Sequence, residues 1–177
     1  MANETYFPNG ISTDNPGDSS AATGGFVRTG VQKIINLSVG KAVASSGWIL
    51  GGGATDVVTL AASKSAKTLT CPINGLNVGD KVTAVAVCGQ IESAGGTVTI
   101  DMTVRKMTTV AGDNTDASLG GITQVSKTAD YKVEDSVTLG TAETIALGES
   151  LYVLITATTA GSTDISLTNI AVTYTSA

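Results

Sequence analysis

The chain has 177 residues, of which 42% are hydrophobic and only 4% aromatic, and its net charge is −5. That length suits about one domain with a real hydrophobic core. There is no histidine, which removes Ser-His-Asp and Cys-His catalysis and most metal-centre designs. The acidic balance, with basic residues scattered, argues against nucleic acid as a direct partner.

The N-terminal stretch "MANETYFPNGISTDNPGDSSAATGGF" is polar and lacks hydrophobic periodicity. Residues 1–26 therefore read as an extended arm ahead of a folded body at 27–177. Such a segment cannot bury enough surface to offset its own ordering entropy. It either lies along its own domain or reaches a neighbouring surface. Tyr6, Phe7 and Pro8 are its adhesive part and the candidate anchors, because aromatics dominate such contacts. Phe26 is a candidate anchor at the arm's root or a core residue. The opening shows no basic region followed by an apolar run, so the expectation is synthesis in the cytosol. No stretch reaches the apolar length of a membrane-spanning helix, so no membrane partner is expected.

Beyond the arm, Thr and Val recur and 21 glycines punctuate the chain against 3 prolines. Branching at Cβ suits a pleated surface, and Gly-rich turns between short runs indicate an all-β protein. "VQKIINLSV" reads as a strand. "SSGWILGGGATD" reads as a loop, with Trp48 as a core or interface residue; its glycines are not followed by the Lys-Ser/Thr pair of a phosphate-binding loop. "DVVTLAA" and "KTLTCPI" read as strands joined by the polar loop "SKSA".

"DKVTAVAVCGQIE" and "GTVTIDMTVRKM" follow as strands, with "SAGG" between them suiting a hairpin. The second is the clearest signal in the chain. Val98, Ile100, Met102 and Val104 point one way, and Thr99, Asp101, Thr103 and Arg105 the other, a period of two. "TTVAGDNTDASLGG" reads as a long polar connection. Within it Asp113, Asn114 and Asp116 have oxygen ligands at a spacing that could suit calcium, but without the alternation of an EF-hand, so a solvated turn is the expectation.

Further strands are expected at "ITQVSKTA", "YKVEDSVTL", "ETIAL", "SLYVLITAT" and "DISLTNIAVTYT". In the last, the apolar phase slips near Thr168 and Asn169, which predicts a β-bulge or a bend. "LNVGDKV" and "IALGESL" share one pattern: apolar, any, apolar, Gly, acid, any, apolar. They suit either two common turns or two similarly placed strand entries. The whole is expected to be a jelly-roll-like antiparallel β-sandwich.

Cys71 and Cys88 lie in strand-like runs, so two free thiols are the expectation, with a bridge between neighbouring strands as the alternative. Two cysteines without histidine do not make an ordinary zinc site. Glycoside hydrolysis by paired carboxylates normally comes with aromatic platforms that this chain is short of. No cofactor is implied and the chain reads as a non-enzyme. Its wet faces carry few of the Lys and Glu guards that keep monomers apart, and Tyr152 and Leu154 oppose Leu151, Val153 and Ile155. Either other subunits cover that surface or the strand is buried on both sides.

The arm "MANETYFPNGISTDN", the body "WILGGGATDVVTLAAS…PINGLNVGDKVT" and the ending "LTNIAVTYTSA" resemble tailed-bacteriophage virion proteins, in particular small capsid decoration (cement) or head-fibre proteins. The resemblance covers most of the chain and is one of style. It implies a homotrimer of jelly rolls on the outer surface of a phage head, with arms gripping the major capsid protein across capsomer seams. A fibre module that binds host glycans is the alternative.

Overall fold

A computed structural model describes residues 32–51, 57–93 and 95–177. The arm, with Tyr6, Phe7, Pro8 and Phe26, lies outside the described residues, as does the expected boundary at 26/27. The strands in chain order are β1 (Gln32–Ser38), β2 (Val43–Ala44), β3 (Trp48–Leu50), β4 (Val58–Leu60), β5 (Lys64–Ile73), β6 (Lys81–Glu92), β7 (Val98–Val110), β8 (Asp113–Lys127), β9 (Tyr131–Thr144), β10 (Glu149–Thr159) and β11 (Asp164–Thr175). A 3-10 turn at Val39–Lys41 follows β1, capped by the Ser38 hydroxyl accepting from Gly40 N.

The strands form two antiparallel sheets. One runs β3-β4-β11-β6-β9, with β1 also against β11; the other runs β2-β5-β10-β7-β8. The pairing is nested: β4 with β11, β5 with β10, β6 with β9, and β7 with β8. Within β4 to β11 the first meets the last, the second the second-last, and so inward. This is one long hairpin rolled into two layers, the jelly-roll arrangement. The expected all-β sandwich of jelly-roll type is therefore the architecture of the described body.

Alternation along the strands decides which side faces in. On β7, Val98, Ile100, Met102 and Val104 are 0–5% exposed, and on β10 Leu151, Val153, Ile155 and Ala157 are 0–2% exposed. The facing sheet supplies Val82, Val85, Val87, Ile91, Ile165, Leu167, Ile170 and Val172 to the same core. Each such side chain contributes roughly 1.5–3 kcal/mol on burial, and together they offset the chain entropy lost in ordering the strands. Trp48 joins this core at 7% exposure. Tyr152 and Leu154 point outward and are half-buried, so β10 is not buried on both sides of one core.

The phase slip near Thr168 is a bulge: pairing with β6 shifts between Leu167 and Asn169. There β11 also changes its neighbour on the other side, from β4 up to Leu167 to β1 from Asn169. Several local expectations are corrected. The "SAGG" segment is no hairpin, because β6 and β7 lie in different sheets and the chain crosses between layers. "SKSA" is not a loop, because β5 already begins at Lys64. "ETIAL" is not a separate strand, since β9 runs on to Thr144 and Ile145 begins a turn. Trp48–Leu50 is a short edge strand rather than a loop.

The polar run after Met107 is the largest correction. It is the tip of a hairpin, with Thr109 opposite Asn114 and Val110 opposite Asp113. Strand pairing continues there although the hairpin projects beyond the core, so no buried face marks it in the sequence.

Candidate interaction surface

The two Gly-acid motifs meet at one end of the sandwich. In each, the acid at the fourth turn position accepts from the backbone N–H three residues earlier. Asp80 Oδ2 takes Asn77 N at 2.8 Å, and Glu149 Oε2 takes Ala146 N at 2.9 Å. In each the third residue is a glycine in the left-handed region, Gly79 at φ 95 and Gly148 at φ 84, where a side chain would be strained. The turns are also joined directly. Gly79 N donates to Ile145 O at 2.8 Å and Ile145 N donates to Asp80 O at 2.9 Å. The richer reading of the repeat therefore holds: these are matched strand entries, one into β6 and one into β10, one in each sheet.

The less exposed charges at this end are internally satisfied. Asp80 is 2% exposed, and its Oδ1 accepts from Ala177 N at 3.2 Å, which ties down the last residue. Lys106 reaches Glu143 at 2.7 Å and Glu149 at 2.9 Å, bridging the two sheets through side chains that are 11–21% exposed. Its hydrogen bonds to Glu143 and Glu149 hold the ammonium pKa up. The same lysine, followed by the Ala146 N–H, holds the Glu149 carboxyl below its ordinary value.

This end also exposes apolar side chains, beside the exposed Lys33 and Lys81. Leu147 and Val78 occupy the second position of the two turns and are 89% and 60% exposed; Ile34 is 66% and Val110, on the hairpin tip, 44%. Gln32, to which residues 1–31 connect, pairs with Thr175 at this same end.

The outer face of the β6-bearing sheet is small and uncharged at its middle. Cross-strand rows read Ile34, Thr173, Ala84, Thr138 and then Asn36, Ala171, Ala86, Ser136. Toward the other end this face opens into a groove of about 1250 Å3, walled by Gln90, Glu92, Lys132, Glu134, Ser166 and Asn169 among others. Gly89 forms part of its floor: a Cβ there would stand 2.2 Å from Ser166 O and 2.9 Å from Leu167 Cα, so only glycine lets the strands approach at the bulge. Tyr131 is its aromatic, and the Lys127 ammonium sits 3.8 Å above that ring.

The outer face of the other sheet centres on Tyr152. Its hydroxyl donates to Asp116 at 2.8 Å and accepts from Arg105 Nε at 3.1 Å, while Arg105 also grips Asp116 through Nε and Nη2. Arg105 and then Tyr152 hold the Asp116 carboxyl below its usual range. Asp116 is thus occupied, and Asp113 and Asp116 lie on a regular strand rather than in a loop. Among the described residues no three His, Cys, Asp or Glu side chains are grouped to hold a metal ion. Cys71 and Cys88 are free thiols. Burial pushes Cys71 up to about 12, and burial followed by the Glu134 charge raises Cys88. Neither is an activated nucleophile.

No protein-family model matches the chain, and no curated protein matches it. Solved structures do. A family two carbohydrate esterase from Cellvibrio japonicus aligns over 81% of this chain and 33% of its own, at 10% identity and a TM-score of 0.40. The infectious bursal disease virus structures of the Gt and Gx strains align over 82% of this chain, at 14% and 13% identity and TM-scores of 0.33 and 0.32. The chain spans about a third of the length of each of these neighbours, 33%, 33% and 32%.

Proposed function

We propose that this is a structural virion protein of the capsid-decoration type, which attaches by its arm end to the outside of an assembled phage head and strengthens seams between capsomers. One observation carries the reading. The end of the sandwich where residues 1–31 join is also the end where Leu147, Val78, Ile34 and Val110 stand exposed, while Lys106, Glu143, Glu149 and Asp80 are paired internally and Lys33 and Lys81 stay at the surface. The apolar turn tips and the groups already paired lose little on leaving water and gain burial against a partner. Tyr6, Phe7 and Pro8 extend the contact along the arm, with Phe26 at its root, and the major capsid protein is the partner. The uncharged Ala, Thr and Ser rows on the outer face support self-association as a homotrimer. Three tethered contacts raise effective concentration, so modest sites give tight attachment. Preference for the assembled shell over free subunits then stabilises the head by linkage. The function needs no catalysis and no cofactor.

Co-sedimentation with purified heads lacking the protein tests this. The full chain is expected to saturate the heads; the chain without residues 2–25 is expected to stay folded and fail to bind. Full occupancy by the truncated chain contradicts the arm's role. The groove favours a second reading, a fibre module that binds host glycans. It ranks lower because the ring of its one aromatic, Tyr131, already has a lysine over one face. Saturable binding on a glycan array would raise it.

A further inference from the structure

At the opposite end of the sandwich the first residues of β5 do something their sequence spacing forbids in a regular strand. Lys64 and Lys67 are three apart, which in a period-two strand places them on opposite faces. In the structure Lys67 pairs with Ala157 and Lys64 with Thr159, with a register shift between these two residues of β10. Ala157 and Thr159 both face the core, at 1% and 3% exposure. Opposed residues in an antiparallel pair share a face, so both lysines project from the inner side of the sheet at its open end. The extra residue is accommodated by left-handed backbone at Ala66, φ 45, with Ser63 also left-handed at φ 56. Neither residue is a glycine, and such conformations are costly without a compensating reason.

The two lysine stems converge on one point. A Cβ placed on Gly47 would stand 3.4 Å from Lys67 Cε, 3.5 Å from Lys67 Cγ and 3.5 Å from Lys64 Cδ. Around them Ser46, Gly47, Ser63 and Ser65 complete a pocket of about 390 Å3. No carboxylate lines it, and among the described residues neither ammonium has an ion-pair partner. The Ser63 hydroxyl is committed to Gly161 O at 3.1 Å, which leaves Ser46 and Ser65 as the available donors. In a chain of net charge −5, a bulge that gathers two cations without an acid between them builds a site for an anion.

We propose that this pocket binds an oxyanion, a phosphate or sulfate group, with Lys64 and Lys67 as its charge partners and Ser46 and Ser65 as hydroxyl donors. A tetrahedral oxyanion suits the set, because it accepts several hydrogen bonds at once from donors arranged around it. The pocket lies at the far end from Gln32, Val78 and Leu147, so it stays open whatever the arm end touches. The group comes either as the free ion or on an anionic polysaccharide.

Amide NMR titrations of the full chain decide the matter, with inorganic phosphate, inorganic sulfate, dextran sulfate and neutral dextran as separate probes. Saturable shifts at Ser46, Gly47, Ser65 and Lys67 with the inorganic ions are expected. K64Q/K67Q should weaken them by about tenfold or more, the loss of two charge-assisted contacts. K64R/K67R should retain binding, and K33Q/K41Q, which removes two lysines elsewhere, should leave it unchanged. Should K64Q/K67Q misfold, S46A/S65A serves in its place, with about threefold weakening expected. Dextran sulfate binding more tightly per anionic group than the inorganic ions identifies a polymer-borne group as the ligand; equal affinity identifies the free ion. Shifts that never saturate, shifts indifferent to K64Q/K67Q, or equal binding of neutral dextran overturn the proposal.

Discussion

The two ends of this sandwich use their charges differently. At the arm end the less exposed ionic groups are consumed internally: Lys106 ties Glu143 to Glu149, Asp80 closes a turn and holds Ala177, and the solvent sees Leu147, Val78 and Val110 together with Lys33 and Lys81. At the far end Lys64 and Lys67 are gathered with no acid lining their pocket, each preceded by a residue in the left-handed region, Ser63 and Ala66. The same jelly roll therefore carries exposed Val78 and Leu147 on its turns at one end and a converging lysine pair at the other.

That contrast is broken or sharpened by substitution. The largest effect is expected at Asp80. Asp80→Ala strands the Asn77 and Ala177 amides and opens the ladder between the twin turns, and should lower the unfolding free energy by about 2–3 kcal/mol in urea denaturation. Lys106→Ala comes next. It leaves two carboxylates facing each other between the sheets and should cost about 1–2 kcal/mol by the same measurement.

The Lys106 cluster also gives the arm end a pH signature. The Glu149 pKa is lowered from its ordinary 4.5, so the pair contributes fully above that value. The contribution is lost as pH falls below 4.5 through the depressed native value, because the unfolded chain takes up the proton first. Thermal melts across that window should show the wild type losing stability more steeply than Glu149→Gln. Equal slopes would mean the ion pair contributes nothing.

Smaller still, on stability, are the exposed tips. Val78→Ser together with Leu147→Ser should change the unfolding free energy by no more than about 0.5 kcal/mol while removing attachment to heads. K64Q/K67Q should leave both stability and attachment near wild type. If it removes attachment instead, the division of labour between the ends is reversed.

The sequence shows the layers more readily than the ends. Val98 to Val104 alternate because one side is buried, and that pattern reads directly as a strand. The slip at Thr168 reads as a bulge because the apolar phase itself changes. The twin turns are visible as a repeated Gly-acid pattern, although only the folded chain brings Gly79 and Ile145 together. What stayed hidden lacks a local signal. The Thr108–Ser118 hairpin has no buried side to impose alternation, so it reads as a loop. The Ser93–Thr97 segment has the composition of a hairpin turn, but the nested pairing of a roll sends the next strand to the other sheet. Lys64 and Lys67 look divergent at their spacing, and only the register against β10 reveals that the bulge turns them to one side. The arm anchors Tyr6, Phe7, Pro8 and Phe26 remain sequence readings, outside the described residues.

The most direct test is an image of the protein on its particle, by cryo-electron microscopy of heads that carry it. The account predicts the sandwich standing with Val78, Leu147 and Gln32 against the shell and Lys64 and Lys67 pointing away. A sandwich seated on the Lys64 end, with Leu147 open to solvent, would contradict it.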